Sequence, residues 1–128
     1  MPLSSVLLVD DSAVMRMHVA RTLRQAGYAG LTITQASDGE EALQHLQAHR
    51  FDLVISDLHM PRLDGLELVR RIRAAGLDVP VLLVTAEGSA RKQTEAVVSG
   101  VTAYLTKPVT PDQLREKIEP LFAPGGTA

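Results

Sequence analysis

VLLVDD (residues 6–11) and FDLVISD (residues 51–57) decide the fold. Each is a short aliphatic run closed by aspartate, too brief for a helix and apolar at successive positions, as in a strand buried on both faces of a parallel sheet. If the two runs are neighbouring parallel strands, Asp10, Asp11 and Asp57 converge on one rim of that sheet. Two such charges ~4 Å apart repel by roughly 4 kcal/mol at an effective dielectric of about 20. A divalent cation reverses that sign, and a phosphoryl group is the substrate such metals commonly present.

Outward from these runs the chain alternates. Aliphatic segments at 31–36, 79–85 and 103–106 join those at 6–9 and 52–56, and amphipathic stretches at 12–25, 39–48, 66–74, 90–99 and 111–121 lie between them. Five βα units predict an α/β fold, a five-stranded parallel sheet with five helices, (βα)5, doubly wound and covered on both faces. Asp38 with Glu41, and Thr110 with Gln113, read as capping boxes; Pro111 takes a first helical position, and Val109 with Leu114 suits a hydrophobic staple. Gly27, Gly76 and Gly100 each follow a helical run, where a left-handed residue ends it. The pattern predicts one domain over residues 1–122 and a flexible small-residue tail over 123–128.

Composition narrows the function. Of 128 residues, 45% are apolar and only 3% aromatic, which describes the aliphatic core of a layered α/β sheet. A net charge of −2, with Lys and Arg spread among acids, argues against a nucleic-acid surface. The absence of cysteine excludes disulfides, thiolate zinc sites and cysteine nucleophiles. VLLV has no basic leader and runs into two aspartates, so no signal peptide is expected, and no stretch approaches the ~20 apolar residues of a membrane helix. A cytoplasmic location is the simplest expectation.

Ligands of open α/β sheets bind beyond the carboxyl ends of the strands, where Asp10, Asp11, Asp57, Thr85 and Lys107 all fall. VDDS (9–12), ISDLHMPRLDG (55–65), VTAE (84–87) and YLTKP (104–108), in this order and spacing, resemble the receiver domain of two-component response regulators. The likeness is to the stand-alone, CheY-like type with a flavodoxin-like fold, and it runs from residue 6 to about residue 121.

The resemblance implies that Asp57 is the phosphoacceptor, taking a phosphoryl group from a histidine kinase or histidine phosphotransfer protein as an acyl phosphate. Asp10, Asp11, Asp57 and the backbone carbonyl of His59 would hold Mg²⁺. Lys107 would place an ammonium opposite the metal, and the Thr85 hydroxyl would bond the arrived phosphoryl group. Thr85 and Tyr104 would form the switch. The Lys107–Pro108 peptide would be cis in this family, and His59 and Glu87 would flank the attacking water and set the phosphoryl lifetime. The fourth helix, fifth strand and fifth helix, with Arg91, Lys92 and Glu95, would bind a downstream protein. Met15, His18 and Val19 on the first helix would dock the donor. The oligomeric state would be a monomer or a phosphorylation-dependent dimer.

Plainer readings run beside these. Asp11 could start the first helix as a cap, Thr85 could be an ordinary strand residue, Tyr104 a surface-tipped tyrosine, and the fourth-helix charges a solvated face. Val109 and Val101 depart from residues frequent at their places in the family, and the connection GYAG (27–30) looks longer than usual. A dehalogenase-type phosphatase would need an acid where His59 stands, together with a cap domain. A flavodoxin-like cofactor binder would need a Gly-rich loop after the first strand. A receiver-like module that takes no phosphate is the remaining rival. The expectation is a phosphoacceptor signalling protein, not an enzyme, that promotes only its own phosphorylation and slow self-dephosphorylation. Chemotaxis, a phosphorelay or another pathway is equally open as its destination.

Overall fold

The computed structural model describes residues 3–86 and 88–122. Its elements alternate along the chain as β1 (Ser5–Val9), α1 (Ala13–Gln25), β2 (Thr32–Ala36), α2 (Gly39–Ala48), β3 (Leu53–Asp57), α3 (Gly65–Ala74), β4 (Val81–Thr85), α4 (Ala90–Ser99), β5 (Ala103–Thr106) and α5 (Pro111–Phe122). All four strand pairings are parallel, in the spatial order β2-β1-β3-β4-β5.

Strand periodicity divides the core into two layers. Leu7, Val9, Val54, Val81 and Leu83 point to one face, against Ala42 and Leu46 of α2, Leu68, Val69 and Ile72 of α3, and Ala96 of α4. Val6, Leu8, Leu53, Ile55, Leu82 and Val84 point to the other, against Val19 and Leu23 of α1 and Leu114 and Ile118 of α5. Because β1, β3 and β4 are covered on both sides, their sequences are continuously apolar rather than alternating.

Local chemistry sets the helix ends. Ser12, Asp38, Asp64, Ser89 and Thr110 each accept a hydrogen bond from the main-chain N–H three residues on, an arrangement worth about 1 kcal/mol per cap. The Thr110–Gln113 box is reciprocal, whereas Glu41 reaches back past Asp38 to the Ser37 N–H. Ser12, and not Asp11, caps α1: its hydroxyl lies 3.2 Å from the Met15 nitrogen, and Asp11 comes one residue too early for that geometry. The expectation that Asp11 starts the helix is therefore corrected. Gly100 ends α4 at φ 101°, a left-handed backbone that only glycine adopts without a Cβ penalty. Arg73 then ties α3 to that turn and to the entry of β4, donating to the carbonyls of Gly100, Leu77 and Val79 at 3.0, 2.9 and 2.8 Å.

The strand order reverses between β1 and β3, since β1 continues outward to β2 while β3 leads to β4 and β5. That reversal opens a crevice at the carboxyl ends of β1 and β3, the place where sheets of this kind bind ligands. The expected tail, residues 123–128, lies outside the described residues.

Candidate functional site

Sheet register brings the acids together. Val9 is paired with Ser56, so the next step along both strands sets Asp10 beside Asp57. Asp11 follows on the loop into α1. Each of the three offers a carboxylate oxygen, and these oxygens lie within 4.8 Å of one another. Among the described residues this is the one group of three or more metal-ligating side chains that converges in this way.

From across the sheet Lys107, just beyond β5, reaches the same crevice. Its Nζ lies 3.3 Å from Asp57 Oδ1 and 3.6 Å from Asp10 Oδ2. The Lys107 N–H also donates to the Thr85 carbonyl at 2.7 Å, so strand pairing carries the lysine past the end of β4. The Lys107–Pro108 peptide is cis. Thr85 is fully buried at the end of β4, on the strand next to Asp57.

Burial has an electrostatic consequence. Desolvation raises the Asp10 carboxyl above its ordinary value of 3.8. The main-chain N–H of Ser12, 2.9 Å from Asp10 Oδ1, opposes that rise, the Asp57 charge adds to it, Lys107 lowers it again, and a bond shared with Asp11 raises it. Three carboxylates against one ammonium carry an excess of two negative charges when all are ionised, which a divalent cation balances. The donors are hard oxygens from aspartate, the set that Mg²⁺ accepts together with waters and phosphate oxygens, so the residues present fit that ion.

The remaining expected residues surround this centre. His59 is exposed on the loop after β3, two residues past Asp57. That loop is fixed by the Gly65 N–H donating to the Leu58 carbonyl at 2.8 Å, and Arg62, at φ 69°, pairs with Asp38 at 3.6 Å. Tyr104 is half-buried, packs against the α3 and α4 side of the core, and lines a groove with Gln93, Thr94, Val97 and Val98. Arg91 and Lys92 pair with Glu95 along α4 at 3.8 and 3.7 Å. Met15, His18 and Val19 line a second groove, with Val14, Pro108 and Val109, at the edge of the acid cluster. Glu87 lies outside the described residues.

Sequence reading missed the support beneath Asp10. The guanidinium of Arg16 donates to the Asp10 main-chain carbonyl, and its Nε donates to Gln35 Oε1 on β2 at 2.8 Å. The signal was faint: an arginine one helical turn past the Ser12 cap, on an otherwise unremarked face.

An acid-rich crevice at the switch point of a doubly wound sheet, with a lysine opposed to two of the acids, is an arrangement with room and charge for a divalent cation. The family model described as the response regulator receiver domain matches residues 6–119, and the chain belongs to that family. Receiver domains generally bind Mg²⁺, which agrees with the acid cluster here.

Chemotaxis protein CheY of Pseudomonas aeruginosa is 39% identical over 119 residues, spanning 91% of this chain and 94% of that protein. Chemotaxis protein CheY1 of Helicobacter pylori is 37% identical over 117 residues, spanning 89% of this chain and 93% of that protein. Among solved structures, chemotaxis protein CheY4 of Vibrio cholerae superposes with a TM-score of 0.80 at 39% identity, covering 91% of this chain and 97% of that one. The receiver domain of Francisella response regulator 1452 superposes with a TM-score of 0.83 at 30% identity, covering 98% and 99%.

Proposed function

We propose that this chain accepts a phosphoryl group on Asp57 in a Mg²⁺-dependent reaction and passes the signal on through a protein-binding face that changes with phosphorylation. The observation that carries the reading is the meeting of Asp10, Asp11 and Asp57 within 4.8 Å, with Lys107 Nζ 3.3 Å from Asp57 Oδ1. A carboxylate so placed is both a metal ligand and a nucleophile, and an ammonium beside it stabilises charge that spreads over the equatorial oxygens of a transferring phosphoryl group.

In the proposed step a carboxylate oxygen of Asp57 attacks the phosphorus of a phosphohistidine held by a histidine kinase or phosphotransfer protein. The P–N bond breaks, its electron pair returns to the imidazole, and the imidazole takes a proton from water. Asp10, Asp11, Asp57 and the His59 carbonyl would hold Mg²⁺, which would supply positive charge to the phosphoryl oxygens. Asp10 keeps its carboxylate aimed inward through the Ser12 N–H. Lys107 loses one ion-pair partner as the Asp57 carboxylate becomes an acyl phosphate, and turns to the new phosphoryl oxygens. The Thr85 hydroxyl moves to a phosphoryl oxygen, drawing the loop after β4 with it, and Tyr104 follows inward.

A phosphoryl group adds about −1.5 to −2 charge, enough to order that loop by new hydrogen bonds. The readout face is α4, β5 and α5, where Tyr104 borders the groove and Val97 and Val98 are exposed. His59 and Glu87 set the lifetime of the acyl phosphate. The protein acts in the cytoplasm on one phosphoryl group at a time, as a monomer or a phosphorylation-dependent dimer, and not as a multiple-turnover enzyme. Similarity to chemotaxis proteins supports motor control as one destination of the signal.

Intact mass after incubation with acetyl phosphate, with and without Mg²⁺ and beside an Asp57→Asn variant, tests the reading. Gain of one phosphoryl group that needs both the metal and Asp57 is expected. A folded parent that gains none while binding Mg²⁺ overturns it in favour of a phosphate-independent interaction module.

A further inference from the structure

Arg16 has no part in the chemistry above, yet it is half-buried and turned toward the end of β1. With its contact, every polar group of Asp10 is engaged. The Asp10 N–H donates to the Ala36 carbonyl at 3.1 Å, its carbonyl accepts from Arg16, Oδ1 accepts from the Ser12 N–H at 2.9 Å, and Oδ2 faces Lys107 at 3.6 Å. The guanidinium is held in turn by Gln35, whose Oε1 accepts from Nε at 2.8 Å. Arginine suits this post because its planar fork can address two acceptors in a fixed relation, which a lysine ammonium does not.

The bonded carbonyl belongs to the Asp10–Asp11 peptide. That unit is planar, so holding its oxygen restrains the peptide that links the two residues and narrows the backbone rotations on which both side-chain directions depend. Asp11 is exposed and lies on the loop between β1 and α1, where the backbone has no sheet partner to orient it. The bonds that Arg16 makes run to the Asp10 main-chain carbonyl and to Gln35 Oε1, and neither is to a carboxylate of the cluster. Arg16 thus addresses the main chain and leaves the carboxylate oxygens open to a cation.

We propose that Arg16, braced by Gln35, is a positioning residue that presets the Asp10–Asp11 peptide for divalent-cation binding. The inference rests on the reading of Asp10, Asp11 and Asp57 as a metal-binding set. Without the clamp the three carboxylates repel one another and the loop relaxes outward, so a cation must reassemble the site as it binds. Affinity falls, while the number and type of ligands stay the same.

Calorimetric titration with Mg²⁺ of the parent, Arg16→Ala, Arg16→Lys and Gln35→Ala tests this, with metal-free urea unfolding of each variant alongside. Arg16→Ala is expected to weaken Mg²⁺ binding by about 10-fold, the low end for outer partners of metal ligands, because the contact is to the ligand's main chain. Arg16→Lys recovers part of the loss, and Gln35→Ala shows a smaller loss of its own. Parental Mg²⁺ affinity in a folded Arg16→Ala, even with a lowered unfolding midpoint, overturns the proposal and leaves a strut between α1 and β2. If Arg16→Ala does not fold, Gln35→Ala decides, and parental affinity there overturns it equally.

Acetyl phosphate labelling of the parent separates the two claims. A parent that binds Mg²⁺ through the clamp but takes no phosphoryl group removes the phosphoacceptor reading alone. A labelled parent whose Arg16→Ala variant keeps full affinity removes the clamp alone. Absence of Mg²⁺ binding by the parent removes both.

Discussion

Replacing Lys107 with methionine keeps the length and apolar stem of the side chain and deletes its charge. Nζ lies 3.3 Å from Asp57 and 3.6 Å from Asp10, and the three side chains are 21%, 11% and 10% exposed. At an effective dielectric of about 20, each of those separations corresponds to roughly 5 kcal/mol of gross attraction. Desolvation of the ions offsets much of it. Removing one partner from a buried set nevertheless costs about 3–5 kcal/mol, because the acids it neutralised stay behind. Water reaches the lysine tip and screens part of the interaction, so Lys107→Met is expected to lose about 3 kcal/mol in the metal-free protein. Mg²⁺ neutralises the same carboxylates, so the deficit narrows when metal is present, and the variant binds the cation more tightly than the parent does. Urea unfolding at neutral pH, with and without Mg²⁺, reads both effects. A metal-free variant as stable as the parent, or a deficit that Mg²⁺ leaves unchanged, would mean that Lys107 does not neutralise the acids.

Three further outcomes follow from the same structure. A Cβ at Gly65 would lie 2.4 Å from the Asp57 carbonyl oxygen and 3.0 Å from Leu58 Cα, both main-chain atoms. Gly65→Ala should therefore cost about 3 kcal/mol in thermal or urea unfolding, and parental stability contradicts that contact. Asp10 holds its proton more tightly folded than unfolded, so the metal-free parent loses stability relative to Asp10→Asn as pH rises from 3.8 through the raised folded value. Unfolding midpoints across that range should diverge in favour of the variant, and the opposite slope counts against a desolvated Asp10. Asp52 shifts the other way. Desolvation raises it, but three bonds from Ser4 and Ser5 and the Arg50 charge outweigh that and leave it below 3.8. Its contribution is full above 3.8 and is lost as pH falls through the depressed folded value, so Asp52→Asn should be destabilised at neutral pH and converge with the parent in acid.

The fold was legible because its signals are local and repeated. Aliphatic runs without alternation mark strands covered on both faces, and cap residues mark where helices begin. Boundaries moved where backbone chemistry intervened. The fourth run reads as strand from residue 79, but β4 begins at Val81: Pro80 accepts from the Val54 N–H and has no N–H to donate in return. The third helix reads from residue 66, but Asp64 caps it and Gly65 is its first residue. Strand β3 extends one residue further than its apolar pattern suggests and takes Asp57 into the ladder opposite Val84. The pairing secures the backbone of the proposed phosphoacceptor on a rigid element instead of a loop.

The acid cluster was legible for a different reason. Strand ends in parallel sheets lie on one rim, so Asp10, Asp57 and Lys107 needed only the strand order to meet, and Thr85 to stand at the end of the neighbouring strand. Contacts that depend on helix rotation and side-chain reach were not legible. Arg16 reaches back over the first turn of α1 to the Asp10 carbonyl, and Gln35 completes the clamp from a strand that is adjacent in space and distant in sequence. Arg73 is similar, capping a turn 27 residues away. Periodicity identifies which residues face the core, but not which main-chain oxygen a long side chain will find.

Asp57, and neither of its acidic neighbours, is the proposed carrier of the phosphoryl group. Acyl phosphates are reduced by borohydride to the alcohol, so phosphorylation with acetyl phosphate and Mg²⁺, followed by reduction and peptide mapping, marks the acceptor directly. Conversion of residue 57 alone, abolished when Mg²⁺ is withheld, is the predicted result. Conversion at Asp10 or Asp11, or the same yield at residue 57 without metal, contradicts the account.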